Sequence, residues 1–271
     1  GVDLQINGKI ISGKQFNWNA SFIFSYNYNR VKEVDYTPTQ TDILGPGSPL
    51  VGKPVNYLAV IPYLGISSAG DPMIKTVKGG DTLGAADLKN FTMDDYIFAG
   101  RKDPPYFGSF LSSFQYRNWR LEFFFTYKFG HKMLLPSYQN SIGSSAVNEW
   151  SDPALTWKEA GDENTKPFPR LVNGFYTTDV SYIVTHNQTL VDKADIIRLR
   201  TLSLEYNLGG LLKGWRIGNA SVRLSAENLW YYAPNRYDLD TDYIVLPSGP
   251  SSTTLSFPAQ KKFVLYLKFS I

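Results

Sequence analysis

The 271-residue chain is 43% hydrophobic and 15% aromatic but only 19% charged, with 18 Tyr, 17 Phe, 6 Trp and no cysteine. Without cysteine there can be no disulfide framework, thiolate nucleophile or Cys-ligated metal. A net charge of +3 lacks the clustered Lys and Arg of a nucleic-acid footprint, so no nucleic-acid partner is expected.

The start, Gly1-Val2-Asp3-Leu4, has neither the basic nor the apolar stretch of a signal peptide. Val2 to Ile11 predicts a first, weakly patterned strand. Phe16 to Asn29 alternates over its whole length. Phe16, Trp18, Phe22 and Phe24 lie on one side; Asn17, Asn19, Ser21, Ser25 and Asn27 lie on the other. Soluble strands run to roughly 5 or 6 residues and do not need so long a two-sided pattern. A long connection, 31 to 105, follows. Its apolar run from Val55 to Leu64 is interrupted by Pro62 and is read as part of a hairpin outside any membrane. A helical span would need about 18 apolar residues in a row, and none is present.

Tyr106 to Tyr116 predicts a weaker strand, and Trp119 to Phe129 a strong one. In the latter Leu121, Phe123 and Phe125 oppose Arg120 and Glu122, with Phe124 as the exception. A second long connection, 131 to 195, contains Trp150, Trp157, Tyr176 and Tyr182, whose flat rings suit substrate stacking, partner contact or packing within the loop. Ile196 to Leu208 predicts a weak strand. From Ala220 onward Val222 and Leu224 oppose Arg223 and Glu227. After a third long connection, 233 to 261, the terminal row is Phe263, Leu265, Leu267, Phe269 and Ile271.

Ribbons of about 10 residues with one apolar and one polar face describe an antiparallel transmembrane β-barrel. The apolar residues named above are then lipid-facing and the polar ones lumen-facing. Aromatics at the strand ends fit the lipid headgroup level. Short turns alternate with long connections, the asymmetry of periplasmic turns and extracellular loops, so 31–105 and 131–195 are expected outside the cell. Seven spans are an odd number and a bacterial barrel closes on an even one, so the chain is expected to be part of a larger barrel.

Enzyme chemistry finds little support. His131 and His186 are the two histidines, without a Ser-His-Asp or His-x-x-x-His arrangement, and are expected as solvated loop residues. Asp238, Asp240 and Asp242 have the alternate spacing of a calcium loop, but Tyr243 and Gly249 stand where an EF-hand needs Gly and Glu. A weak irregular calcium site or a hydrated acidic loop remains. No cofactor is expected.

Several stretches resemble one family. Asp192 to Leu208 resembles the "DGSYLRLRNITLGYNLP" strand of SusC/RagA-type TonB-dependent transporters of Bacteroidetes. Ser221 to Leu229 is similar to their "LRVYVTGQNLL" strand, Phe257 to Phe263 to "YPQPRTF", Gly100 to Phe110 to "GNPNPKYTGGF", and Tyr116 to Phe125 to "YKNFDLSFFF". Glu205 departs from the usual Gly, and Asn207-Leu208-Gly209-Gly210 lacks the usual Pro. The resemblance implies that residues 1–271 are the C-terminal portion of the barrel, with the plug domain and a TonB-contacting segment upstream. It further implies a SusD-like surface lipoprotein over the mouth, and import of glycan or peptide oligomers across a bacterial outer membrane. A passive porin or adhesin barrel and a soluble carbohydrate-binding sandwich are the alternatives.

Overall fold

The computed structural model describes residues 1–45, 48–76, 82–135, 156–170, 177–209, 219–245, 254–255 and 259–270. Its frame is one antiparallel sheet of seven long strands: β1 (Val2–Ser12), β2 (Phe16–Tyr26), β3 (Tyr106–Tyr116), β4 (Trp119–Phe129), β5 (Ile196–Asn207), β6 (Asn219–Tyr232) and β7 (Lys262–Ser270). Their order across the sheet is their order in the chain. Each strand therefore pairs with its predecessor and successor, and every long connection leaves from one end. Tyr26 is opposite Tyr106, and Tyr106 opposite Phe129. Ile197 likewise lies between Tyr127 and Tyr232. The short turns occupy the other end. Among the described residues the barrel is not closed, and β1 and β7 are its edges.

The strand bounds differ most from the pattern reading at the end of β2. β2 stops at Tyr26 instead of Asn29 because its neighbour runs out: the Asn27 N–H goes to Pro105 O at 2.9 Å. Arg101 donates to Asn27 O at 3.3 Å and lies 4.4 Å over the Tyr28 ring. Asn27, expected on the lumen face, is thus beyond the sheet. β6 runs on to Tyr232.

One irregularity organises the sheet. Between Phe124 and Phe125, adjacent on β4, the partner positions on β5 are Thr201 and Leu199, and those on β6 are Glu227 and Trp230. β5 therefore carries an extra residue, Arg200, and β6 two extra, with Asn228 at φ 55°. Such a bulge re-aims side chains. Here it moves the apolar phase of β5 from Ile197 and Leu199 to Leu202 and Leu204, so that all four stay on one face.

Gly108 of β3 is fixed by its neighbours. The Tyr127 hydroxyl crosses it and donates to Ile23 O at 2.9 Å. A Cβ at Gly108 would meet that oxygen at 2.0 Å and the Tyr127 hydroxyl at 2.6 Å. The tyrosine covers a glycine notch, a device that restores packing over a bare strand position. Gly108→Ala is expected to expel the ring and destabilise the sheet by at least ~1–3 kcal/mol. A matching fall in the temperature at which the folded, SDS-resistant band is lost on gels would show it; an unchanged temperature would mean that the ring is not held this way.

The long connections carry structure of their own, and the run from Val55 to Leu64 enters strand pairings as its hairpin reading expects. Tyr57–Val60 pairs with Ile97–Arg101, and Tyr63–Ile66 forms a hairpin with Pro72–Lys75. Around them Ile43, Leu44, Leu50, Ile61, Ile74, Leu88 and Tyr96 build a buried core. Tyr182 and Ile183 join it from the helix Thr178–Thr185 in the second connection. Thr177 caps that helix by accepting the Val180 N–H. This body holds the largest conventional core among the described residues, whereas the sheet exposes Phe22, Leu224, Phe263, Leu265 and Leu267.

Candidate functional site: the two faces of the sheet and the ion cluster at its loop end

The register sorts the predicted residues onto two faces. On the apolar face Trp18, Phe114, Leu121, Leu204, Leu224 and Leu265 form one row across the sheet. Phe22 and Phe125 share the row of Phe110, Phe24 and Tyr127 that of Gly108, and Phe123 and Phe263 that of Leu202 and Ala226. Val222 is opposite Leu267, and Ala220 opposite Phe269. Nothing described covers this side: Leu265 is 61% and Phe263 66% exposed. Phe22, Phe123 and Leu265 do not converge on a common core. A continuous apolar surface of this extent is an interface with a partner or with lipid. The indole N–H of Trp18, the polar atom most in need of a partner there, donates to Ser112 Oγ at 2.9 Å.

Aromatic rings bound this face at both ends. Phe16, Tyr116, Trp119 and Tyr206 form the row at the short turns, and Tyr26, Tyr106 and Phe129 the row at the long connections. Ten strand residues separate the rows, about 33 Å at roughly 3.3 Å per residue. At the 35–45° tilt usual for barrel strands this becomes an apolar band of about 25 Å, the height such barrels present to a bilayer.

The opposite face is polar. Asn17, Gln115, Arg120, Glu205, Arg223 and Tyr266 make one row; Asn19, Ser113, Glu122, Ser203, Ser225 and Val264 make the next. Arg223 donates to Glu122 at 3.2 Å and to Ser203 Oγ at 3.0 Å, while Ser113 donates to Glu122 at 3.3 Å. Ser21, Ser25 and Glu227 share this side, with Glu227 opposite Thr201 and Lys262. Besides Val264, four apolar residues interrupt it near the loop end. Leu111 is opposite Phe124, and Ile23, opposite Ser109, sits between Leu111 and Phe107 of β3.

At the loop end the third connection folds back over this polar face. Arg236 donates to Asp192, Thr189 O and Val191 O; Tyr231 donates to Asp238 O; Thr241 donates to Ala194 O. Leu239 packs on Met133, Leu135 and Ala194. The segment then delivers Asp242 to three cations: Lys128 Nζ at 2.8 Å, Arg198 Nε at 2.9 Å and Arg200 Nη2 at 2.7 Å. Asp240 pairs with the other side of Arg198, whose guanidinium lies 5.3 and 5.2 Å from the Tyr231 and Tyr243 rings. The Asp240 and Asp242 side chains are 8% and 7% exposed. Burial pushes the Asp242 carboxyl up, but Lys128, Arg200 and Arg198 outweigh it and hold it below the ordinary carboxylate range.

Two members of the acidic triplet are therefore ion-paired side chains, while Asp238 is exposed. Asp240 and Asp242 are consumed by Arg and Lys, and among the described residues no group of three metal-ligating side chains forms. The three cations were missed because the triplet was weighed by its own spacing. The partners of Asp242 are 42 and 44 residues upstream, in the alternate pair Arg200 and Arg198, and 114 residues upstream, at Lys128.

The aromatic contact residues separate. Tyr182 is 5% exposed within the loop core, so its ring has no surface left for stacking on a ligand. Trp157 lies against Gly70, where a Cβ would meet its ring at 2.5 Å, and donates to Glu163 at 3.2 Å. Trp150 and Tyr176 lie outside the described residues. The histidines are shielded instead of solvated. His131 is 7% exposed, and His186 contacts Thr185 Oγ1 at 2.6 Å and lies edge-on to Tyr182 at 5.8 Å.

Burial, with a smaller contribution from Lys102, pushes His186 down from 6.5 to about 4. The unfolded chain then binds this proton more readily than the folded one, so stability is full above the unfolded value and is lost as the pH falls from about 6.5 towards 4. The loss is at most about 3 kcal/mol at about 1.4 kcal/mol per pH unit. Faster amide exchange of residues 178–190 at pH 5 than at pH 7, after correction for the intrinsic rate, is expected in the wild type. His186→Gln should flatten that difference, and an equal difference in both would remove His186 as its source.

No protein-family model matches the chain. TonB-dependent receptor P3 of Formosa agariphila is 26% identical over 256 residues, covering 84% of this chain and 24% of that protein. TonB-dependent receptor P26 of the same organism is 22% identical over 251 residues, covering 87% and 25%. The chain thus spans about a quarter of the length of the curated relatives it matches. Among solved structures, the RagAB peptide importer in its open-open state superposes with a TM-score of 0.67 at 21% identity, over 99% of this chain and 28% of that one. The closed-closed state gives 0.70 at 21%, over 98% and 29%. The chain is thus similar in sequence to about a quarter of two TonB-dependent receptors and, with its two-faced seven-stranded antiparallel sheet, shares the fold of a portion of the RagAB importer.

Proposed function

We propose that the intact protein imports oligomeric nutrients, peptide or glycan, across a bacterial outer membrane, energised through TonB, and that this chain supplies barrel wall and surface loops. The observation that carries the reading is the separation of faces: an apolar band about 25 Å tall between aromatic rows, backed by a polar wall. The apolar face meets lipid and the polar face lines the passage. All long connections leave from one end, which supports 31–105 and 131–195 as extracellular. The two unpaired edges are where the remainder of the barrel joins, because open backbone in hydrocarbon is too costly to leave unsatisfied. A plug and a TonB-contacting segment lie in the rest of the protein. A SusD-like surface lipoprotein covers the mouth, resting on the folded loop body. Bond chemistry has no part in this mechanism.

Washed cells with and without the protein, offered labelled peptides or oligosaccharides, test the reading. Uptake that requires the protein and ceases when a protonophore collapses the proton gradient is expected. Uptake that persists without the gradient would replace energised import by passive diffusion.

A further inference from the structure

Resting on that reading, we propose that the Lys128–Arg198–Arg200 cluster and the apolar patch beside it form a solute site for the free carboxylate end of a short apolar peptide, and that Asp242 occupies it as an internal stand-in. Three cations from two strands converge on one carboxylate at 2.7–2.9 Å, the arrangement expected for a bound anion. The carboxylate comes from a returning connection and not from the sheet itself, so a competitor can take its place without breaking strand pairing. Lys128 and Arg200 retain 42% and 29% exposure of their side chains, which leaves them reachable from the polar face.

The second feature is the interruption of that face. Ile23, Phe107 and Leu111 are 38, 38 and 39% exposed, on a wall otherwise made mostly of polar and charged residues. Phe107 is the register partner of Lys128, and Leu111 that of Phe124. Thr126, which accepts from Arg200 at 3.0 Å, stands between Phe124 and Lys128 on β4. Cations and apolar side chains are thus interleaved within about two residue steps. A carboxylate with an apolar side chain next to it matches both halves, whereas a neutral glycan matches neither. An internal competitor lowers apparent affinity by the fraction of time the site is vacated, which makes release of the loop a condition of tight binding.

The test uses the full-length transporter, purified in detergent, titrated with tri-leucine, tri-leucine amide and tri-galacturonate by calorimetry. Asp242→Asn is expected to tighten tri-leucine binding at least tenfold and leave the amide unchanged. Phe107→Ala, which removes no ion-pairing group, is expected to weaken tri-leucine about tenfold in either background. Equal gains for acid and amide, or none, would overturn the carboxylate site. A gain for tri-galacturonate as large as that for tri-leucine would overturn the peptide assignment. Protein-dependent uptake by cells carrying the wild-type protein tests import alone, so its failure is distinguishable from failure of this site.

Discussion

Arg198→Ala is expected to release the connection after β6 from the polar face. The side chain is 2% exposed and bonded to both Asp240 and Asp242. Removing it leaves two buried carboxylates, with Lys128 and Arg200 still holding one of them and the other left to accept only the Asp242 N–H, at 3.3 Å, among the described groups. Deleting one member of a buried ion pair costs ~3–5 kcal/mol, most of it the desolvation of the group left behind. The sheet does not need this contact, since β5 pairs with β4 and β6 along its length. The loss should therefore be local: protease sites within 235–245 open, while the protein still reaches the membrane in normal amount. Arg198→Lys, which keeps the charge but cannot span two carboxylates, should fall in between. Protease resistance unchanged in Arg198→Ala would show that the segment is held by Arg236 and Leu239 instead.

A charge on the apolar face should act at the opposite level. Phe263 lies near the middle of the apolar band, opposite Ala226, and is 66% exposed. In water such a residue would tolerate arginine. In hydrocarbon, Phe263→Arg costs ~2–4 kcal/mol near mid-depth, and because β7 is an edge strand the loss falls on a strand with a single described partner. The expected outcome is a sharp drop of folded protein in the outer-membrane fraction. Gln5→Arg, exposed on the other edge strand and opposite Ile23 on the polar face, is expected to leave that amount near the wild-type value. Equal behaviour of the two variants would remove the distinction between lipid and lumen faces on which the transport reading depends.

Both expectations rest on alternation, and alternation was the most legible property of the sequence. β2 and β4 declared themselves because Phe22, Phe24, Leu121 and Phe123 keep one phase for the whole strand. β5 read as weak for a physical reason: Arg200 is an extra residue, and the apolar phase changes from Leu199 to Leu202 across it. What period-two reasoning could not supply was the loop body. Its core is assembled from single residues, such as Leu50, Ile74, Leu88 and Ile183, which are far apart in sequence and belong to short elements. The ion cluster was hidden in the same way: Arg198 and Asp242 announce nothing until β5 and the returning connection meet. Tyr182, picked for its ring, turned out to be one of the core residues.

That core has a bearing on how the molecule comes together. Its members up to Tyr96 precede β3 and β4 in the chain, while Tyr182 and Ile183 follow them. Uniting the two groups in a free polymer would mean closing a ring of many tens of residues, an entropic toll that rises with the logarithm of its size. Once the β3–β4 hairpin zips up, its base holds both entry points side by side and the effective ring shrinks to the stubs beyond. Maturation of the surface body is therefore conditional on completion of the wall beneath it, which delays the display of a finished outer surface until the ribbon is in place.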